Sequence, residues 1–325
     1  MRFKSAREIL SPETKVEAKW IAKPWLAQSA ITELVGKAKV AGKTTLALAL
    51  CSAILDGSDF MDKPTTKTGI VYLTEESEIS FRMALERAHI GPRDDFQVLF
   101  WRETLGRKWA EAMDEAVEVT IARNAGLLVV DTLAQFAQLT GDRENNAGDA
   151  LAAVLPLQKA RDRDLGVLML RHERKQGGAL GDSGRGSSAF AGAVDIILNL
   201  GRPRGHTDEN IRLLDGVSRL DDEGLKLTIK LTEEGYRSCG VTTRPTADAA
   251  EELIMEYLRG SEDEAHDLKQ IIGATGQTRA TIQRVLAELK EHGQVLETGT
   301  GVKGDPQRYY RPGENSAQNP SPRVS

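Results

Sequence analysis

The stretch ELVGKAKVAGKTTLALAL, residues 33–50, decides how the rest of the chain is read. Apolar residues lead to Gly36, and a short turn leads to Gly42-Lys43-Thr44 at the head of an Ala- and Leu-rich segment. A strand, a glycine-bearing turn and a helix in that order let backbone N–H groups and the helix N-terminus cradle phosphate oxygens. In such a loop Lys43 reaches the β- and γ-phosphates as a point charge, and the Thr44 hydroxyl holds Mg²⁺. Gly42 lets the backbone approach closely. Gly36, Ala41, Gly42, Lys43, Thr44 and Thr45 are therefore the nucleotide-binding candidates. The spacing departs from the usual G-x-x-x-x-G-K-[ST] pattern. Lys37, Ala38, Lys39, Val40 and Ala41 separate the two glycines, one residue more than that pattern holds. A longer loop closes if Gly36 takes the special dihedral one position early. The competing reading is a plain Gly-Lys turn at a strand–helix junction, and the other strand ends must decide between them.

Outward from this stretch, short apolar segments alternate with helical ones. Strands are predicted at Ile31–Val35, Gly69–Thr74, Phe96–Trp101, Leu127–Val130, Gly166–Leu170 and Ala193–Leu198. Helices are predicted at Thr44–Leu55, Ser80–Ala88, Lys108–Arg123 and Ala147–Arg161. This alternation predicts an α/β fold with a mostly parallel sheet covered on both faces. Residues 211–239 read as antiparallel strands closing the sheet. Ligands in such sheets bind at the carboxyl ends of the strands.

Those ends carry chemistry. Asp131 follows LLVV, where a carboxylate orients a metal-bound water beside a nucleotide; the alternative is a helix cap. Glu75 and Glu76 follow GIVYLT, and one of them can act as general base on the attacking water; the alternative is two solvated acids. His172 follows VLML, where an imidazole can feel a γ-phosphate; the alternative is a surface histidine. A phosphate loop, acids and a histidine on successive strand ends are far more specific together than any one alone.

Bulk properties bound the rest. The 325 residues suffice for a full core and a small second domain. No run of about 18 apolar residues predicts a membrane span, and the start MRFKSAREILSPETK has no signal-peptide core. A cytoplasmic protein is expected. The net charge of −5 gives no bulk argument for nucleic acid, so such a partner must be met by a local patch. Cys51 and Cys239 are far apart in sequence and read as buried small hydrophobes.

The segments GKAKVAGKTTLALAL, VYLTEES, LLVVDTLAQF, DRENNAGDA, RHERK and GRGSSAFAGAVD together resemble the RecA-like P-loop ATPases, and within them the RepA-type branch, which includes a plasmid replicative helicase and ATPases of phages and integrated elements. The resemblance covers roughly residues 25–200. It implies ATP and Mg²⁺ as cofactors, Asp131 as the Walker B acid, and Lys43 and Thr44 on phosphate and metal. It also implies Glu76, four residues past Tyr72, as the catalytic glutamate in preference to Glu75. His172 and Lys175 match the family's sensing segment, and Asn145 lies in a loop that in the family faces a neighbouring subunit. Two departures are the lengthened loop and Asp195. Asp195 aligns where the ring helicase places an arginine that reaches into the neighbour's nucleotide. An aspartate cannot neutralise phosphate charge, so either Arg185 takes that role or the protein does not fire as a helicase ring does, and assembly as a hexamer is weakened.

Residues 177–186 hold Gly177, Gly178, Gly181, Gly184 and Gly186, a composition that predicts a mobile loop, with Arg171, Arg174, Lys175 and Arg185 as its charge. In RecA-like proteins the loop at this place contacts nucleic acid; a plain surface loop is the alternative. Further predictions are a lead-in over 1–24, an ATPase domain over 25–241, a linker at 242–246, a winged helix-turn-helix over 247–312 and a disordered tail at 313–325. Thr278 would cap the second helix of the helix-turn-helix. Arg279, Gln283 and Arg284 on that helix, with Lys303 and Arg308 in the wing, are the DNA-binding candidates. Residues 246–278 hold two basic residues against eight acids, and 279–312 hold six against four. Positive charge thus coincides with the reading helix and wing, although the domain as a whole is acidic; the alternative is a winged helix used for subunit or partner docking.

The reading is an Mg-ATP-hydrolysing enzyme acting on DNA, a helicase or related replication or recombination factor. The alternative is a regulator that binds DNA through its winged helix and is switched by ATP. A small-molecule kinase is disfavoured because no lid is visible.

Overall fold

The computed structural model describes residues 3–11, 17–37, 41–172, 189–202, 208–220, 225–233, 235–241, 247–258, 264–302 and 305–312. Arg174, Lys175, Arg185 and Lys303, the glycine-rich 177–186, the linker 242–246 and the tail 313–325 lie outside the described residues. The chain divides into two units, Met1–Val241 and Thr242–Ser325.

A short helix α1 (Ala6–Ile9) opens the first unit. The hairpin β1 (Trp20–Ala22) and β2 (Leu26–Ala27) follows. Ile21, Ala22, Trp25 and Leu26 are buried, and the Trp25 ring meets Phe60 edge-on at 5.1 Å. The end of the polar-looking lead-in is thus part of the core. Then come β3 (Ile31–Gly36), α2 (Lys43–Asp56), β4 (Gly69–Thr74), α3 (Glu78–Arg87), β5 (Phe96–Phe100), α4 (Trp109–Ala122), β6 (Ala125–Asp131), α5 (Leu133–Phe136), α6 (Ala147–Arg161), β7 (Gly166–His172), α7 (Ala189–Ala193) and β8 (Ile196–Gly201). Three further strands, β9 (Ile211–Ser218), β10 (Leu225–Thr232) and β11 (Gly235–Val241), complete a nine-stranded sheet of order β11-β10-β9-β8-β3-β7-β6-β4-β5.

The six strands from β8 to β5 are parallel to their neighbours, and β9, β10 and β11 run antiparallel. The expected α/β fold with a mostly parallel sheet is what forms. The antiparallel strands extend one edge and leave the sheet open. Central strands β3, β4 and β7 are buried almost end to end, as parallel strands covered on both faces must be. One apolar cluster packs α2, α3 and the β1–β2 hairpin on one face, and a second packs α4, α5, α6 and α7 on the other. Helix α2 buries most of its circumference, including Leu46, Leu50, Cys51 and Ile54, and leaves a narrow stripe of Thr45, Ala49, Ser52 and Asp56 less covered.

Two local expectations are corrected. The strand expected from Ala193 begins at Ile196, because 189–193 is helical; Asp195 marks the join, its side chain accepting the Ile31 N–H at 2.9 Å. Cys239 is exposed while Cys51 is buried, since β11 is the outermost strand of the sheet.

In the second unit α8 (Ala247–Tyr257), β12 (His266–Asp267), α9 (Leu268–Thr275), α10 (Arg279–Glu291), β13 (Leu296–Thr298) and β14 (Arg308–Tyr310) enclose their own core. The strands form an antiparallel sheet of order β12-β14-β13. Gly276 ends α9 in the left-handed region at φ 65°, and the Thr278 hydroxyl accepts the Thr281 N–H at 3.2 Å to start α10. No helix among the described residues is long and apolar enough to cross a membrane.

Candidate functional site

The register of the parallel strands gathers the predicted residues at one edge of the sheet. Gly36 pairs with His172, and Thr74 pairs with Asp131. The phosphate loop, the Glu75–Glu76 pair, Asp131 and His172 therefore share the carboxyl edge, where an α/β sheet binds ligands.

Gly42 caps α2 in the left-handed region at φ 83°, a conformation a side chain resists. Gly36 answers to a different constraint. It is the last residue of β3 and has no positive φ, so the expected early special dihedral is absent. A Cβ at this position would lie 2.7 Å from the Leu200 carbonyl oxygen and 2.9 Å from the Ala41 Cβ. Glycine is required there by close approach.

Lys43 is buried, and its ammonium donates to the carbonyls of Gly36 at 3.0 Å and Lys37 at 3.3 Å. It also meets His172 Nδ1 at 3.3 Å. An ammonium only donates, so in this contact Nδ1 is the accepting nitrogen. The histidine is thus coupled to the lysine at the head of α2.

Asp131 is buried, and its Oδ2 accepts from the Thr44 hydroxyl at 2.7 Å and from the Tyr72 hydroxyl at 2.9 Å. Both bonds fall on one oxygen, which orients the carboxylate and leaves Oδ1 to other partners. Burial pushes the carboxyl up to about 6; the Thr44 and Tyr72 hydrogen bonds oppose the rise, and the charges of Glu75 and Glu76 add to it. Glu76 is half-buried and accepts from the Ser80 hydroxyl at 2.5 Å. Glu75 is exposed and accepts from Thr132 at 2.7 Å.

The donor set fits Mg²⁺. Thr44 Oγ1 and Asp131 Oδ2 are neighbouring hard oxygens at 2.7 Å, and Mg²⁺ is held by one or two protein oxygens together with phosphate and water. Among the described residues no cluster of three or more His, Cys, Asp or Glu is arranged to hold a metal by itself, so a hydroxyl and a single carboxylate are what the protein offers.

Two clefts flank this centre. One, of about 260 Å³, borders Thr45 and is lined by Met61, Arg87, His89 and Tyr236 among others. The other, of about 510 Å³, borders Glu75, Thr132 and His172 and includes Trp101, Gln135 and Glu144.

Other predicted residues fall elsewhere. Asp195 sits at the amino end of β3, where it accepts the Ile31 N–H. That is the edge opposite the phosphate loop, so this aspartate is a strand anchor and says nothing about nucleotide in a neighbouring copy. Arg171, counted as loop charge, is only 5% exposed. It is paired with buried Glu33 and lies 3.5 Å from the Phe190 ring centre, so it cannot serve a nucleic acid. Asn145 is exposed, and it is its neighbour Asn146 that caps α6, accepting from Gly148 and Asp149. In the second unit Arg279, Gln283 and Arg284 are all exposed near the start of α10, and Arg308 is exposed on β14.

Sequence reasoning missed Tyr72, Arg212 and Tyr236. Tyr72 carries a polar tip within the apolar run Ile70–Leu73 of β4. Arg212, a lone cation between Ile211 and Leu213, is 7% exposed and donates to the Ala41 carbonyl at 2.9 Å. The Tyr236 hydroxyl lies 3.0 Å from where a Gly42 Cβ would be.

Similar solved structures include the RadB recombinase, at 17% identity and a TM-score of 0.49, covering 66% of this chain and 93% of that one. A KaiC-like protein from the hyperthermophilic archaeon Pyrococcus horikoshii OT3 is similar at 14% identity and a TM-score of 0.48, covering 69% of this chain and 98% of that one. No curated protein matches in sequence. An AAA domain matches residues 2–178. That match spans more than half of the 325 residues and encloses the phosphate loop, Glu75, Glu76, Asp131 and His172, and the chain belongs to the AAA domain family.

Proposed function

We propose that this protein binds Mg-ATP at the carboxyl edge of its sheet, hydrolyses it, and acts on DNA as a RecA-like ATPase, a helicase or a related replication or recombination factor of a phage, plasmid or integrated element. The observation that carries the nucleotide reading is the convergence of Lys43, Thr44 and Asp131, tied by the 2.7 Å bond between hydroxyl and carboxylate. Lys43 brings positive charge to the phosphates, and the amides at the start of α2 point at them. Thr44 and Asp131 would hold Mg²⁺, which when bound neutralises charge on the phosphate oxygens. Glu76 takes the proton of the attacking water, and the Ser80 hydroxyl orients it. His172, bonded to Lys43, registers whether that lysine is engaged by phosphate. The cleft beside Thr45 takes the base, with Tyr236 and His89 as its flat walls.

The DNA reading rests on the second unit. Its two-helix turn and three-stranded sheet suit a winged helix, and Arg279, Gln283, Arg284 and Arg308 project positive and amide groups from α10 and β14. The same separate core supports a second reading, an ATP-switched DNA-binding regulator with little motor activity.

Calorimetric titration with Mg-ATP tests the site. The intact protein binds; Lys43→Ala loses binding; Glu76→Gln keeps binding and loses turnover. Hydrolysis accelerated by single-stranded DNA, with a hexamer forming only with ATP and DNA, supports the motor. A DNA-independent rate with tight, sequence-specific duplex binding supports the regulator. Absence of heat with Mg-ATP ends both.

A further inference from the structure

We infer that Arg212, reaching in from the antiparallel edge of the sheet, is a positioning residue that holds the descending leg of the lengthened phosphate loop in its phosphate-binding shape. The inference rests on the nucleotide reading above and adds to it a part of the site outside the loop.

Arg212 lies on β9, paired with Ile229 of β10. Its Nε donates to the Ala41 carbonyl at 2.9 Å. Its Nη1 donates to the Ile211 carbonyl at 2.8 Å and to the Glu209 carbonyl. One planar group thus ties the phosphate loop to the backbone at the start of an antiparallel strand 171 positions away in sequence. Burial pulls the guanidinium below its ordinary value, yet an arginine keeps its proton in proteins. A buried charge spent on main-chain carbonyls is costly unless the geometry it enforces is useful.

The residue it grips is decisive. Ala41 directly precedes Gly42, the left-handed cap of α2, and Lys43. Ala41 is buried, and its N–H donates to the Lys37 carbonyl at 3.3 Å. The missing side chain of Gly36 leaves room for its Cβ. Tyr236 of β11 stands over Gly42 and feels the Arg212 charge. The leg is hemmed by Gly36, Arg212 and Tyr236 together.

The loop has one residue more between its glycines than the usual pattern. An added residue adds backbone freedom that phosphate binding must remove, at a cost in affinity. A guanidinium fork on Ala41 removes part of it in advance. A lysine cannot copy this, because a point charge does not hold the loop carbonyl and the β9 carbonyls in one plane.

The test measures Mg-ATP and Mg-ADP affinity by calorimetry, with steady-state hydrolysis, for the full-length protein, Arg212→Lys and Arg212→Gln. Amide hydrogen exchange over 41–44 without nucleotide is measured alongside. Loss of a hydrogen bond from a charged donor predicts affinity weakened about 10-fold or more, by the same factor for ATP and ADP. KM rises, kcat stays within about 3-fold, lysine does not rescue, and exchange at 41–44 quickens while the melting temperature of the free protein shifts by only a few degrees. Affinity within about 2-fold of the parent in either folded variant overturns the inference, as does full rescue by lysine, which would reduce Arg212 to a charge. Failure of both variants to fold also overturns it, by assigning Arg212 to the fold. If the parent itself does not bind Mg-ATP, the nucleotide reading falls, and unchanged exchange at 41–44 in Arg212→Lys would then remove the loop anchor as well.

Discussion

Tyr72 and Asp131 show how one residue's neighbours set its chemistry. In sequence, Tyr72 is part of an apolar strand and Asp131 ends another. In space they are linked at 2.9 Å, with Thr44 on the same carboxylate oxygen. Removing a buried donor from a carboxylate costs about 1–3 kcal/mol. Tyr72→Phe is therefore expected to lower unfolding stability by about that amount, read from the urea midpoint at unchanged slope, and to leave the sheet intact because the ring still packs. A loss under about 0.5 kcal/mol would mean the hydroxyl does not support Asp131. Arg171 and Asp195 teach the converse lesson. Arg171 looks like a functional charge in sequence and Asp195 stands where the resemblance puts an arginine, and each is consumed by the fold, Arg171 against Glu33 and Phe190 and Asp195 against the Ile31 amide. Only burial and pairing distinguish a structural ion from a functional one, and neither is written in a residue's type.

Elements were legible where periodicity was strong. The helix at 147–161 and the strand at 69–74 fall where apolar spacing puts them. The strand near 193 was not legible, because an Ala-rich segment of five residues fits helix or strand and the join at Asp195 depends on a partner strand 164 positions away in sequence. The β1–β2 hairpin was missed because its strands have only three and two residues, too few to show a period. The turn between β13 and β14 carries a prediction of its own. The Asp305 carboxylate accepts both the N–H and the hydroxyl of Thr300 at 2.9 Å, and these bonds hold its pKa below the usual carboxylate value. A depressed folded pKa means this contribution is present above the unfolded value of about 4 and is lost as pH falls through the folded one. The Thr300 amide is expected to lose exchange protection on acidification below about pH 4, and at neutral pH in Asp305→Ala. NMR exchange rates check it; a pH-independent Thr300 amide would refute the assignment.

At the scale of the molecule, the two units hold separate cores. Ile282 is fully buried in the second. Ile282→Ala is expected to cost about 2–5 kcal/mol there, lowering one calorimetric transition and leaving the other, which Mg-ATP should raise by about 2.7 kcal/mol at 100 times its dissociation constant. A single transition shifted by both mutation and ligand would show that the units do not melt separately. The sequence by itself determined the alternating α/β order and the placing of Gly42-Lys43-Thr44 and the acids at the strand ends, because these depend on spacing along one stretch of chain. Tertiary structure alone decided that Asp131 meets Thr44 and Tyr72, that Asp195 lies at the far edge, and that Arg212 grips Ala41. Those outcomes depend on strand order and register, which bring together residues from 59 to 171 positions apart. No local pattern encodes which strand will lie beside which, since that choice belongs to the packing of the whole core.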